Sequence, residues 1–180
     1  GKTHTIARRV AHLMRARQVR AEEILVLAFS RAAAGELRER LVATIGERAR
    51  HVRVRTFHGL ALELTGDALD DDRRDSEAWL EGALERAAEL LRDPGEPGAA
   101  DGDAVERAGP GVGAGERDAA GEEHRARVLG GVRHVLVDEY QDLDPAQYAM
   151  LTGLVGAQRR AARGKGVLEL ERSVLVVGDD

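Results

Sequence analysis

The chain has 180 residues, 43% of them hydrophobic and 33% charged, which is the composition of an ordinary globular domain with a core. It contains no cysteine, and this excludes disulfides, thiol chemistry and cysteine-ligated zinc. No apolar run approaches the roughly 18 residues of a membrane helix and no basic-then-apolar leader opens the sequence, so we expect neither a membrane span nor secretion.

The net charge of −5 is distributed unevenly along the chain. Residues 66–125 hold 18 acidic and 7 basic side chains, a local charge of −11, whereas the remaining residues hold 14 acidic and 20 basic side chains, a charge of +6. An evenly spread negative charge would argue against a nucleic-acid partner. Basic flanks around an acidic insert do not argue against such a partner.

Helices and apolar strands alternate in the first 65 residues. The pattern predicts, in order, a helix directly after Gly1-Lys2-Thr3, a strand over 24–29, a helix capped by Ser30, a strand over 52–56 and a helix over 57–64.

The pattern breaks between residues 66 and 127. An amphipathic helix is predicted over 76–92, with Trp79 in the core of the insert. Residues 93–123 contain 8 of the 21 glycines and 3 of the 4 prolines. Because so few large apolar groups cannot offset the conformational entropy of ordering this stretch, we expect a mobile or disordered linker.

Regular patterning returns at residues 134–138, a strand that ends in Asp138. Asp144 and Pro145 mark the start of a helix, with Gln147 completing a capping box and Tyr148 on the buried face. A basic loop over 159–166 and a last strand over 173–177 are predicted to follow.

Alternating helices and apolar strands predict an α/β fold, with a parallel sheet flanked by helices. Ligands of such sheets bind at the carboxyl ends of the strands, where acidic and hydroxyl residues cluster here. We divide the chain into a first part (1–65), an acidic insert (66–127) and a second part (128–180) of one domain.

Gly1-Lys2-Thr3 matches the last three positions of the phosphate loop GxxxxGK[ST]. That loop uses glycine for close backbone approach, lysine to reach the terminal phosphates and a hydroxyl to hold Mg²⁺. Three residues also fit an ordinary helix start.

Asp138 and Glu139 follow an apolar strand directly. An aspartate there can hold Mg²⁺, and a neighbouring glutamate can polarise an attacking water. Two acids at a solvated strand end are the alternative, but a Gly-Lys-Thr upstream that opens a helix favours a nucleotide site.

The segment Asp138-Glu139-Tyr140-Gln141-Asp142 resembles motif II of the UvrD/Rep group of superfamily 1 DNA helicases. Four further segments are similar to that family's motifs in the same order: Gly1-Lys2-Thr3 (end of motif I), 25–41 (motif Ia), Thr56-Phe57-His58-Gly59 (the next motif) and 176–180 (start of motif III). The resemblance covers nearly all of 1–65 and 132–180. It implies a RecA-like P-loop NTPase domain with its first strand missing, since the chain starts inside motif I.

The resemblance also implies roles for individual residues. ATP would be bound by Gly1, Lys2, Thr3, Asp138 and Asp179, with Mg²⁺ held by Thr3 and Asp138. Glu139 would be the catalytic base, and Gln141 would sense the γ-phosphate or the attacking water. Single-stranded DNA would run along Phe29, Ser30, Arg31, Phe57 and His58.

The DNA assignment has independent physical support, because sequence-tolerant binding of single strands uses aromatic rings for stacking and cations along the backbone. Four of the assigned residues also have a structural alternative. Phe29 could belong to the core, His58 could cap or pack, Arg31 could lie on a solvated helix face, and Asp179 could be a turn acid. Motif Ia also departs from the family. Ala32 stands where the family commonly has a lysine, and an arginine, Arg31, stands one place earlier.

The implied function is an ATP-dependent DNA helicase or translocase motor that moves on single-stranded DNA from 3′ to 5′ in DNA repair or recombination. It would act in the bacterial cytoplasm at the nucleoid. The arginine finger and second motor domain are not in this chain, so the isolated chain is expected to hydrolyse little ATP. A P-loop ATPase that does not act on DNA and a non-catalytic binding module are the alternatives.

Overall fold

A computed structural model of the chain describes residues 2–66, 76–91, 124, 126–164 and 173–178. Within these ranges the side chains of residues 2, 3, 156–164 and 173 are not described. The linker predicted over 93–123 lies outside the described residues.

Helices and strands alternate as predicted. The described elements are α1 (Lys2–Ala16), β1 (Ile24–Ala28), α2 (Arg31–Ile45), β2 (Arg53–Thr56), α3 (Phe57–Thr65), α4 (Glu77–Leu91), β3 (His134–Asp138), α5 (Pro145–Gly164) and β4 (Ser173–Val177). The four strands form one sheet in the order β2-β1-β3-β4, and all three pairings are parallel. The predicted α/β class is confirmed.

Both faces of the sheet are covered by helices. Along β1, Leu25 and Leu27 point into a core shared with α3, α4 and α5, while Ile24, Val26 and Ala28 point into a core shared with α1 and α2. Because side chains alternate between the faces of a strand, a strand buried on both faces reads as a continuous apolar run.

Helix α4 lies within the core on one face of the sheet. Its apolar face, which includes Leu84 and Leu91, packs against α3 and α5, and Trp79 is half-buried against the same cluster. The approach to α5 is close at Gly153, where an added Cβ would lie 2.8 Å from the Cβ of Leu91. Whether 66–127 is a separate insert stays a prediction, but its helix is part of the packed domain.

The predicted helix caps form. The Oγ of Ser30 accepts a hydrogen bond from the Ala33 amide at 3.1 Å, and Oδ1 of Asp144 accepts one from the Gln147 amide at 2.8 Å. The reciprocal half of the predicted capping box is wrong, because Oε1 of Gln147 accepts no hydrogen bond within the described residues.

Two predictions about α5 are corrected. The helix continues to Gly164 rather than giving way to a loop at residue 159. Tyr148 is 50% exposed, not buried. The buried stripe of α5 is Gln147, Met150, Leu151 and Leu154, with the helical spacing i, i+3, i+4 and i+7, so position 148 falls beside it.

Strand β4 lies at one side of the described sheet, and Val174 and Val176 on it are exposed. The prediction of a missing first strand is not tested by the described residues. In the part of the chain that the structure describes, no helix combines the length and apolarity required to cross a bilayer.

Candidate functional site

The carboxyl ends of the four strands bring the predicted site segments to one edge of the sheet. Phe29 follows β1, Thr56 ends β2, Asp138 ends β3 and Gly178 follows β4. In a parallel sheet these ends meet at the same edge, where ligands of such folds bind.

Helix α1 also starts at this edge. Its last turn, with Met14 and Arg15, lines a cavity at the opposite edge together with Ala21 and His51, which precede β1 and β2. The helix has 15 residues, a length of about 22 Å, and packs along β3 and β4, so its first residues reach the carboxyl edge.

Several predicted nucleotide contacts lie on parts that are not described. Gly1 and Asp179 are outside the described residues, and the side chains of Lys2 and Thr3 are not described. Their contacts with phosphate and Mg²⁺ therefore stay predictions. The structure supports only the position of the helix end that carries Lys2 and Thr3.

The two acids of the predicted motif II have different environments. Asp138 is only 3% exposed and pairs in register with Val177 of β4. Glu139 is half-buried and has left-handed backbone angles, φ 53° and ψ 49°. Non-glycine residues adopt these angles at a cost of about 1–3 kcal/mol, and such residues cluster at functional sites. The chain thus turns sharply at Glu139, directly after the buried carboxylate.

Gln141 is exposed beside these acids, in the short helical turn Tyr140–Asp142. Its Nε2 donates to Oε2 of Glu139 at 2.7 Å and to Oδ2 of Asp142 at 3.1 Å. Gln141 therefore lies against the predicted catalytic base.

An open cavity of about 900 Å³ lies at the same edge of the sheet, between α2, α3, α4 and the start of α5. Its lining includes Phe29, Arg31, Thr56, His58, Gly59, Leu62, Leu80 and Gln147. Four carboxylates also line it: Glu77, Glu81, Asp142 and Asp144. The cavity therefore combines apolar surface with a predominantly acidic lining.

The two phenylalanines predicted to contact DNA differ in their exposure to solvent. Phe29 is 47% exposed in the cavity, so it is not a core residue. Phe57 is fully buried in the core with Leu60 and Leu25. A ring without exposed surface cannot stack on a base, so the prediction for Phe57 is wrong.

The polar residues predicted along the DNA path lie near Phe29. Arg31 is exposed and lines the cavity. Ser30 is half-buried, and its hydroxyl caps α2. His58 is half-buried, and burial lowers its pKa below the ordinary value of 6.5. Asp144 and Glu81 oppose that shift and Arg31 adds to it, so burial is the main influence on the His58 pKa and favours the neutral imidazole.

Sequence reasoning missed the acidic lining and Gln147. Glu77 and Glu81 have the i, i+4 spacing of one helix face, but only the docking of α4 brings that face to the cavity. Gln147 is 2% exposed, and its position on the apolar stripe of α5 was the signal that could have indicated burial.

Comparison with known proteins identifies the family. The family model for the UvrD/REP helicase N-terminal domain matches residues 1–90 and 117–180. The chain belongs to this family. Its parallel sheet with helices on both faces is accordingly of the RecA-like class.

Individual helicases are similar over most of the chain but are much longer. The ATP-dependent DNA helicase UvrD1 of Mycobacterium tuberculosis is 31% identical over 87% of this chain and 27% of its own length. The ATP-dependent DNA helicase Rep of Escherichia coli is 26% identical over 89% of this chain and 31% of its own length. The ATP-dependent DNA helicase PcrA of Leuconostoc citreum is 40% identical over 43% of this chain. The chain thus spans about a third or less of these relatives.

Proposed function

We propose that this chain is the nucleotide-binding part of an ATP-dependent DNA helicase motor. The motor couples ATP hydrolysis to 3′ to 5′ movement on single-stranded DNA in repair or recombination, at the nucleoid of a bacterial cell. The observation that carries the proposal is the meeting of a buried aspartate, a glutamate in a strained turn and an exposed aromatic ring at one edge of the sheet. The family membership supports it.

The residues at this edge fit a magnesium nucleotide. Mg²⁺ in such sites is held by one or two carboxylates together with substrate phosphates and water. Asp138 supplies one buried carboxylate, and within the described residues no group of three acidic or histidine side chains could hold a metal alone. Asp138 and Thr3 would hold the ion, which neutralises charge on the phosphates. Lys2, Gly1 and Asp179 would contact the nucleotide.

Glu139 is the proposed base. Its carboxylate accepts the proton of the water that attacks the γ-phosphorus, as the phosphoryl group transfers in line from the leaving diphosphate. The hydrogen bond from Gln141 orients this carboxylate.

The DNA strand runs past Phe29, Ser30, Arg31 and His58. The four carboxylates of the cavity repel phosphates, so the bases face the cavity and stack on Phe29 while Arg31 attracts the backbone.

The nucleotide part of the proposal is tested by binding of a fluorescent ATP analogue with and without Mg²⁺. In the full-length gene product, Asp138→Asn abolishes the Mg²⁺-dependent part of the affinity, while the control Glu89→Gln, an exposed acid on α4, retains it. Absence of Mg²⁺-dependent binding to the unsubstituted protein would identify a non-catalytic module instead.

The DNA part is tested by ATP hydrolysis with and without a single-stranded oligonucleotide. Phe29→Ala weakens DNA binding by about fivefold or more, since a base–aromatic stack contributes about 1–3 kcal/mol. Leu90→Ala removes another exposed apolar side chain, on α4, and leaves DNA binding unchanged. Hydrolysis that DNA does not stimulate would indicate an ATPase with another substrate. The same assay on the 180-residue chain tests the prediction that it hydrolyses little ATP alone.

A further inference from the structure

The end of β4 is in close contact with the side chain of Gln141. A Cβ added to Gly178 would lie 2.5 Å from Oε1 of Gln141 and 3.4 Å from its backbone nitrogen. Real Cβ atoms do not approach a heavy atom to 2.5 Å, so any other residue at 178 would displace the amide. The glycine therefore allows Gln141 to rest directly on the backbone that follows β4.

The other end of the same amide holds the proposed base. Nε2 of Gln141 donates to Glu139 at 2.7 Å and to Asp142 at 3.1 Å. Hydrogen bonds to ionised acceptors are short and roughly twice as strong as neutral ones. One planar amide thus connects the carboxylate of Glu139 with the backbone at Gly178.

The backbone around Glu139 makes this connection stiff. Glu139 is in the left-handed region, and its carbonyl accepts a hydrogen bond from the Asp142 amide at 3.0 Å, which closes a tight turn. Asp138 is held in the sheet by register pairing with Val177, the residue before Gly178. A shift of the segment after β4 therefore reaches Glu139 through the amide of Gln141.

We propose that Gln141 is a positioning residue that couples the location of Gly178 at the end of β4 to the orientation of the Glu139 carboxylate. The proposal rests on the proposed function of Glu139 as the base. Gln141 acts through Glu139, and movement at Gly178 aligns or misaligns the carboxylate with the attacking water.

The test is a double-mutant cycle of Gly178→Ala and Gln141→Ala in the full-length gene product, with steady-state ATP hydrolysis as one readout. Each single substitution lowers kcat by about 10- to 100-fold, the effect of a displacement of about 1 Å in a catalytic group, and leaves KM for ATP nearly unchanged. The double variant has the kcat of Gln141→Ala alone, because the side chain that the new methyl group would displace is already absent. The control Gly35→Ala, where a Cβ meets nothing within 4 Å, retains the original kcat.

A second readout does not depend on hydrolysis. In the 180-residue chain, the side-chain amide proton resonances of Gln141 shift in Gly178→Ala and in Glu139→Gln but not in Gly35→Ala. The proposal is overturned if Gly178→Ala lowers kcat by the same factor in the unsubstituted protein and in the Gln141→Ala variant. It is also overturned if Gln141→Ala alone leaves kcat unchanged. If the unsubstituted protein does not hydrolyse ATP, the proposed function fails. In that case, shifted Gln141 amide resonances would still support the coupling between Gly178 and Glu139, and unshifted resonances would overturn it.

Discussion

The contact between α4 and α5 at Gly153 leads to a quantitative prediction for Gly153→Ala. An alanine in a helix interior is more favourable than glycine by about 1 kcal/mol. The new Cβ, however, would lie 2.8 Å from the Cβ of Leu91 and 3.2 and 3.3 Å from its backbone carbon and oxygen. Because two of these three contacts are with backbone, a side-chain rotation cannot relieve them.

Overpacking of this kind costs about 1–3 kcal/mol, so the free energy of unfolding of Gly153→Ala is unchanged or lower by up to about 2 kcal/mol. The matched control is Gly35→Ala in α2, where the added Cβ meets nothing within 4 Å. That variant is stabilised by up to about 1 kcal/mol. The two variants therefore differ by about 1–3 kcal/mol, which is the steric cost alone.

The assay is urea unfolding of the 180-residue chain. Far-ultraviolet circular dichroism follows the helices, and the fluorescence of Trp79, the single tryptophan, follows α4. The free energies come from linear extrapolation. If Gly153→Ala and Gly35→Ala are stabilised equally, α4 does not pack against α5 at this distance, and its assignment to the core is refuted.

Three further predictions concern the caps, the aromatic residues and the histidine of the site. Ser30→Ala lowers the free energy of unfolding by about 0.5–2 kcal/mol because the α2 cap is lost, whereas Ser30→Asp keeps a capping side chain and the original stability. Equal urea midpoints for the two variants would contradict the cap. Phe57→Ala lowers the free energy of unfolding by about 3–5 kcal/mol because it empties a core position, whereas Phe29→Ala changes it by less than about 0.5 kcal/mol. A larger loss for Phe29→Ala than for Phe57→Ala in the same assay would contradict the placement of the two rings. Since burial lowers the pKa of His58 in the folded state, its contribution to stability is present above pH 6.5 and is lost as the pH falls toward the lowered folded pKa. Unfolding at pH 7.5 and pH 5 therefore shows a smaller loss for His58→Gln than for the unsubstituted chain, and an equal loss would contradict the shift.

Local patterns in the sequence determined the elements of the sheet. The run 24–28 is apolar at every position because β1 is covered on both faces, and this was evident from the residues alone. Ser30 and Asp144 were identifiable as caps for the same reason, since a cap bonds an amide three residues away and depends on no distant contact. Family motifs then indicated which strand ends carry the chemistry.

The tertiary structure decided which side chains reach the site. Phe29 and Phe57 each follow a strand, but one lines the cavity and the other fills the core, because the helix that starts at Phe57 turns its first residue inward. The acidic lining of the cavity and the contact of Gln141 with Gly178 join residues from separate elements. Such contacts depend on how helices dock on the sheet, and no periodicity within one element specifies that docking.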